Sequence, residues 1–205
     1  MSANTSQLTL RIGALSAAFL LLGGCATTEG PVVSSGKVAY GDSKAVETVT
    51  NEFGSTDLQT IAESMTRSLL QSAPITRGNR PRVTISEVQN KTSEYIDTRA
   101  ITDSIRAQLL KAGQVRFVAD VNQMQDQTEE LMRQNQSGLY KKSTAKKIGN
   151  MVGADYRITG NITSIVKRTS DIKDVYYKFS LMLVNIETGE IEWADEKEIR
   201  KTSSR

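Results

Sequence analysis

The hydrophobic pattern changes period along the chain. Leu58, Ile61, Ala62, Met65 and Leu69 recur at the three-and-four spacing of one helix face, and Pro74 lies just beyond. Residues 56–59 (TDLQ) have a capping-box pattern that marks the start of this helix. The stretch 82–88 (RVTISEV) alternates and predicts a strand. Ile101, Ile105, Leu109 and Ala112 predict a second helix, closed by Gly113. A short strand follows at 115–119. Asp120 then caps a third helix carrying Val121, Met124, Thr128 and Leu131. After a break at 136–138 (QSG), Ser143 is the expected cap of a fourth helix through Ile148 and Val152, ending at Gly153.

Beyond residue 155 the period becomes two. Tyr156, Ile158, Gly160, Ile162 and Val166 alternate with polar residues, as do Val175, Tyr177, Phe179, Leu181 and Leu183. Thr188-Gly189 is a turn, and 190–199 returns as a further antiparallel strand. Near this turn Met182, Val184, Ile191 and Trp193 make the second strand face apolar too. Either helices cover both faces there or a bulge changes the register. The order αβαβααβββ predicts an α/β (α+β) domain over 55–205. Its mixed sheet of about four to five strands is flanked by about four helices, and the C-terminal strands are antiparallel.

The first residues have a different character. One basic residue, Arg11, precedes an apolar run over 12–22, too short for the roughly 20 residues of a membrane-spanning helix. This reads as a secretory signal over 1–24. Leu22, Gly23 and Gly24 lead into Cys25, the single cysteine of the 205 residues. The run resembles a bacterial lipobox. In such signals the cysteine thiol accepts a diacylglycerol and becomes the first residue of the mature chain. Residue 26 is alanine, which by the same resemblance directs the protein to the outer membrane. Residues 25–54 are rich in Gly, Ser and Thr with little periodicity, and read as a lipidated N-terminus and flexible tether. A flexible chain of that length spans about 30 Å.

Composition narrows the chemistry. The chain has no histidine, which removes the commonest general base and transition-metal ligand. One cysteine excludes an intrachain disulfide. A net charge of +3 is too small to argue for nucleic acid. Three S-x-x-K matches, starting at Ser143, Ser164 and Ser170, lie in a Lys- and Ser-rich region where chance produces them. Residues 30–38 imitate a phosphate loop with the wrong glycine spacing. Glu94, Asp97 and Asp103 are acidic neighbours with no sign of convergence in the sequence. No catalytic residue, metal or cofactor is expected. The densest basic cluster is Lys141, Lys142, Lys146 and Lys147, beside Tyr140. Lys142 and Lys146 are four apart and would share a helix face. Tyr140, Lys141, Lys142 and Lys146 are therefore the candidate docking patch for an acidic partner.

Four stretches together carry a family resemblance: 53–58 (FGSTDL), 88–92 (VQNKT), 152–162 (VGADYRITGNI) and 179–201 (FSLMLVNIETGEIEWADEKEIRK). With the lipobox, they resemble the penicillin-binding protein activator LpoB family. The resemblance implies a fold like the TolB N-terminal domain. It implies a non-enzymatic outer-membrane lipoprotein, facing the periplasm, with a monomeric globular domain. Such a protein binds the regulatory domain of a class A penicillin-binding protein and stimulates peptidoglycan synthesis. A structural or secretion-linked envelope lipoprotein of the same fold, which self-assembles, is the alternative. Oligomeric state separates the two.

Overall fold

A computed structural model describes residues 41–47 and 49–204. The signal, Leu22, Gly23, Gly24 and Cys25 lie outside the described residues. The elements are α1 (Ser55–Leu70), α2 (Ala73–Thr76), β1 (Arg82–Ile85), β2 (Gln89–Lys91), α3 (Thr98–Ala112), β3 (Arg116–Phe117), α4 (Val121–Gln136), β4 (Tyr156–Arg168), β5 (Ile172–Asn185) and β6 (Ile191–Ser204). The fold is a mixed α/β sandwich.

Six strands form one sheet in the order β3-β1-β4-β5-β6, with β2 also paired to β4. The β3-β1-β4 part and the β2–β4 pairing are parallel, and β4-β5-β6 is antiparallel. The long C-terminal strands follow from strict alternation. Val175, Tyr177, Phe179, Leu181 and Leu183 of β5 are buried, as are Ile158 and Ile162 of β4. They meet Ile61, Met65 and Leu69 of α1 and Ile101, Ile105 and Leu109 of α3, so the helical stripes and the strand stripe bury one another. Gly160 is required where β4 passes β5. A Cβ there would collide with the Ser180 carbonyl oxygen and lie 2.7 Å from a Leu181 methyl carbon.

Local chemistry sets the helix ends. Asp97 caps α3, accepting from the N–H groups of Arg99 and Ala100, and Gly113 closes it with φ of 70°. Asp120 Oδ1 accepts from Gln123 N while Gln123 Oε1 accepts from Asp120 N, a capping box for α4. At α1 the cap is shifted. Gly54 is the N-cap, its N–H donates to Asp57 Oδ2, and Thr56 Oγ1 instead accepts from Glu47 N.

Two expectations change, and a choice left open by the sequence is decided. The run 82–88 is interrupted after Ile85, and pairing resumes only at β2 (Gln89–Lys91). The fourth helix expected over 143–153 is absent, and those residues form turns. Their few apolar side chains find no surface to bury against, so the pattern has nothing to stabilise a helix with. The fourth helix of the fold is instead the short α2. The doubly apolar stretch near the last turn is resolved by a bulge: the β5–β6 register shifts at Leu183/Val184. Trp193 pairs with Leu183 on the core side, and its Nε1–H donates to Ser68 Oγ.

Asp155 joins the parallel strands to β4. Its carboxyl accepts from Arg82 N at 2.7 Å and pairs with the Arg82 guanidinium at 3.1 Å. The backbone donation chiefly, and then the guanidinium, hold this carboxyl below the usual carboxylate range. Its stabilising effect is present above the ordinary aspartate pKa, about 4, and is lost as pH falls through the lowered value. Asp155→Asn should narrow the gap between urea midpoints measured at neutral and strongly acid pH. An unchanged gap would show that Asp155 has no part in acid unfolding.

Candidate docking arm

The second face of β4–β6 carries Thr159, Asn161 and Thr163 beside Tyr176, Lys178 and Ser180, none of them buried. An antiparallel sheet tolerates one solvated face. No helix layer covers it, because α4 packs extensively on no other helix or strand. Residues 123–153 contain no buried position. They form an arm: α4 runs outward for about 24 Å, and 137–153 return along it.

The arm holds together through its own polar groups. Lys146 N donates to Gln134 Oε1 at 3.1 Å, and Asn135 Nδ2 donates to the Lys146 carbonyl at 2.9 Å. Arg133 pairs with Glu130 and lies 5.9 Å from the Tyr140 ring centre. Hydrogen bonds from Gln134 first, and Arg133 second, lower the Glu130 pKa. The hydrogen bond to Glu130 raises that of Arg133. Gly138 and Gly149 have φ of 72° and 88°, so the reversals fall at residues that tolerate them.

The structure brings Tyr140, Lys141, Lys142 and Lys146 together at the arm's tip, on turns and not on a helix face. The Lys141 carbonyl accepts from Thr144 N and Ala145 N. Among the described residues, none of Lys141, Lys142, Lys146 and Lys147 has an ion-pair partner. Sequence reasoning missed the apolar component. Leu139, Ile148 and Val152 are 83%, 55% and 59% exposed, and Met132 and Met151 are exposed as well. Ile148 and Val152 have the spacing expected of the fourth helix, whereas Leu139, Met132 and Met151 belong to no expected stripe. Basic and apolar side chains that share one protruding surface suit binding to another macromolecule.

The acidic candidates do not converge. Glu94 accepts from Tyr177 Oη at 2.7 Å and from Phe53 N, Asp97 caps α3, and Asp103 pairs with Arg106. Burial first, and then this contact with Glu94, push the Tyr177 pKa far upward. Among the described residues no cluster of three or more His, Cys, Asp or Glu could hold a metal. A groove of roughly 870 Å³ lies at the arm's root, between Ile85, Arg99, Arg106, Asp120, Met124 and Arg157. Its Arg106 is occupied by Asp103 and Asp120. No described helix is long and apolar enough to cross a membrane.

Comparison with known proteins identifies the family. The model for "Peptidoglycan-synthase activator LpoB" matches residues 57–199, well over half of the chain. No curated protein sequence gives a significant match. Among solved structures, the LpoB C-terminal domain from Escherichia coli is 17% identical, with a TM-score of 0.45, covering 71% of this chain and 99% of that one. The corresponding domain from Salmonella enterica is 17% identical with a TM-score of 0.44, over the same shares of each chain. Lipoprotein GNA1162 from Neisseria meningitidis is 16% identical with a TM-score of 0.38, covering 60% of this chain and 84% of that one. On the extent of the family match, this chain belongs to the LpoB family of peptidoglycan-synthase activators.

Proposed function

We propose that the protein is a non-enzymatic, lipid-anchored envelope protein that binds a class A penicillin-binding protein through the arm and stimulates its polymerising activity. The observation that carries this reading is the arm's tip. Four lysines without ion-pair partners among the described residues stand beside exposed apolar residues, on a segment that packs extensively on no other helix or strand. Membership of an activator family supports the activity, and the basic tip supports an acidic contact surface on the synthase.

Stimulation of glycan-chain polymerisation by the purified protein is the direct test. The wild type should raise synthase turnover in a saturable manner. Lys141→Glu, Lys142→Glu and Lys146→Glu together should weaken binding about tenfold or more at low salt, mainly through the on-rate, with less difference at high salt. Circular dichroism should be unchanged, since exposed substitutions shift stability by about 0.5 kcal/mol or less. Unchanged binding at both salts would remove the arm's lysines from the interface, and the open face of β4 and β5 would be the next surface to test.

The anchor is a separate proposal. Cys25 is the acyl acceptor, and Leu22, Gly23 and Gly24 position the cleavage site before it. The mature chain is thereby held at the outer membrane and faces the periplasm, with several acyl chains making attachment stable. Cys25→Ser should abolish lipid labelling and outer-membrane fractionation and leave the domain folded. Continued membrane fractionation of this variant would defeat the assignment.

A further inference from the structure

Residues 42–47 and 49–54 lie on the domain ahead of α1 and double back on themselves before it starts. The first half runs beside the first turns of α1. The Ser43 carbonyl accepts from Gln59 Nε2 at 2.7 Å, Thr56 Oγ1 donates to the Ala45 carbonyl and accepts from Glu47 N, and Glu47 Oε2 accepts from Ser55 N. Positions 43 to 47 thus meet helix positions 59 to 55, in reverse order. The second half reaches the ends of β5 and β6. Asn51 Nδ2 donates to the Lys173 carbonyl and Ser203 Oγ, Lys201 Nζ donates to the Glu52 carbonyl, and Phe53 N donates to Glu94.

Polar groups hold this strap almost alone. Val46 and Val49 are exposed, and among its described side chains only Phe53 packs against the core, edge-on to Tyr177. The core itself is closed by Ile61, Met65 and Leu69 of α1 against α3 and the sheet, without the strap. The bond from Gly54 N to Asp57 that caps α1, and the Asp57–Lys201 pair, lie on the domain side of the turn. The strap can therefore leave while the core and the cap stay in place.

We propose that the strap is a releasable length of tether, which detaches from the folded domain as one unit and lengthens the chain ahead of α1. Its reversed path makes it respond to pull. Tension entering at Asp42 meets the contacts one after another from Ser43 inward, because the strap folds back beside α1, so no two halves of it share the load. Full release of 42–54 adds up to about 45 Å of extended chain. A flexible tether over 25–54 spans about 30 Å on average, so the strap sets a large part of the distance the domain can cover. The domain keeps every partner in position, and the strap docks again when the pull ends. That such tension arises at a membrane rests on Cys25 being the anchor. Release itself does not, and neither the arm nor a synthase enters the test.

Hydrogen exchange on the full chain carrying Cys25→Ser tests release. The amides of Glu47, Phe53 and Ser55 are bonded only while the strap is docked. They should exchange at least about a hundredfold faster than those of Ile105 in α3 and Leu181 in β5, yet more slowly than in an unfolded peptide. Phe53→Ala should speed exchange at Glu47 and Ser55 about tenfold, although neither touches Phe53, and Asn51→Ala should do the same. Strap amides as slow as Ile105 and Leu181 overturn the proposal, since the strap then leaves only when the domain unfolds. Amides as fast as in a free peptide overturn it too, as do variants that leave Glu47 and Ser55 unchanged. Length is tested by pulling in an optical trap on unacylated full chain. One handle is the Cys25 thiol and the other a cysteine from Thr188→Cys in the exposed β5–β6 turn. A reversible lengthening of roughly 40 Å should come before the domain unfolds. Unfolding with no earlier step overturns the proposal. Failure of acylation at Cys25 would remove the anchor and leave both results standing.

Discussion

Lys201→Met is expected to lower stability by about 3 kcal/mol, read from the denaturant midpoint at unchanged slope. Lys201 Nζ donates to Asp57 Oδ2 at 2.8 Å and to the Glu52 carbonyl at 2.6 Å. The two side chains are only 17% and 7% exposed. Removing the ammonium strands a buried carboxylate that must still accept from Gly54 N to cap α1. Removing one partner of a buried pair costs more than the pair itself contributes, because the remaining charge lacks both water and a counter-ion. Adding Asp57→Asn to Lys201→Met should therefore recover part of the loss, a non-additivity of about 1 kcal/mol or more. An unchanged midpoint for Lys201→Met would mean that Asp57 is solvated in the native protein.

Removing residues before Ser55 should cost about 2 kcal/mol relative to a chain that begins at Asp42, compared by the same unfolding measurement. Residues 42–47 and 49–54, expected to belong to a flexible tether, instead form a strap laid on the domain. Asn51 is buried, and its Nδ2 donates to the Lys173 carbonyl and to Ser203 Oγ, both at 3.1 Å. Phe53 sets its ring edge-on to Tyr177 at 5.8 Å, and its N–H donates to Glu94. Glu47 Oε2 accepts from Ser55 N at the first turn of α1. Two or three hydrogen bonds at about 1 kcal/mol each and an aromatic pair of similar size are set against the entropy of ordering the strap. Equal midpoints for the two chains would show that this entropy cancels the contacts.

Both predictions concern residues whose roles were not legible in the sequence. Asn51, Glu52 and Phe53 lie in a stretch with no periodicity, and Lys201 lies in the charged strand β6, three residues before its end. Their partners are far away in sequence: Asn51 reaches Lys173 and Ser203, and Lys201 reaches Asp57. Nothing local encodes such contacts. The register of three long strands and the path of the chain over α1 decide them.

The lysine cluster was legible as a cluster, because four lysines within seven residues need no fold to be noticed. Its setting was not. Residues 143–153 carry the right apolar spacing for a helix, but a short helix in water forms only when its apolar face is buried. The arm provides no surface to bury it against, so Leu139, Ile148 and Val152 are exposed beside the lysines.

By itself the sequence determined the parts of the fold that depend on near neighbours. These are the cap at Asp120, the stop at Gly113, the helical stripes of α1 and α3, and the alternation that makes β4, β5 and β6 strands. It also carried the family, through stretches that lie mostly in those elements. The tertiary structure alone decided which side of the sheet is covered, how the bulge at Leu183/Val184 returns Trp193 to the core, and that α4 stands away from the sheet. Each of these depends on burial against residues distant in the chain. Burial is a property of the assembled surface, and the same apolar spacing yields a packed helix where a partner face exists and an exposed arm where none does.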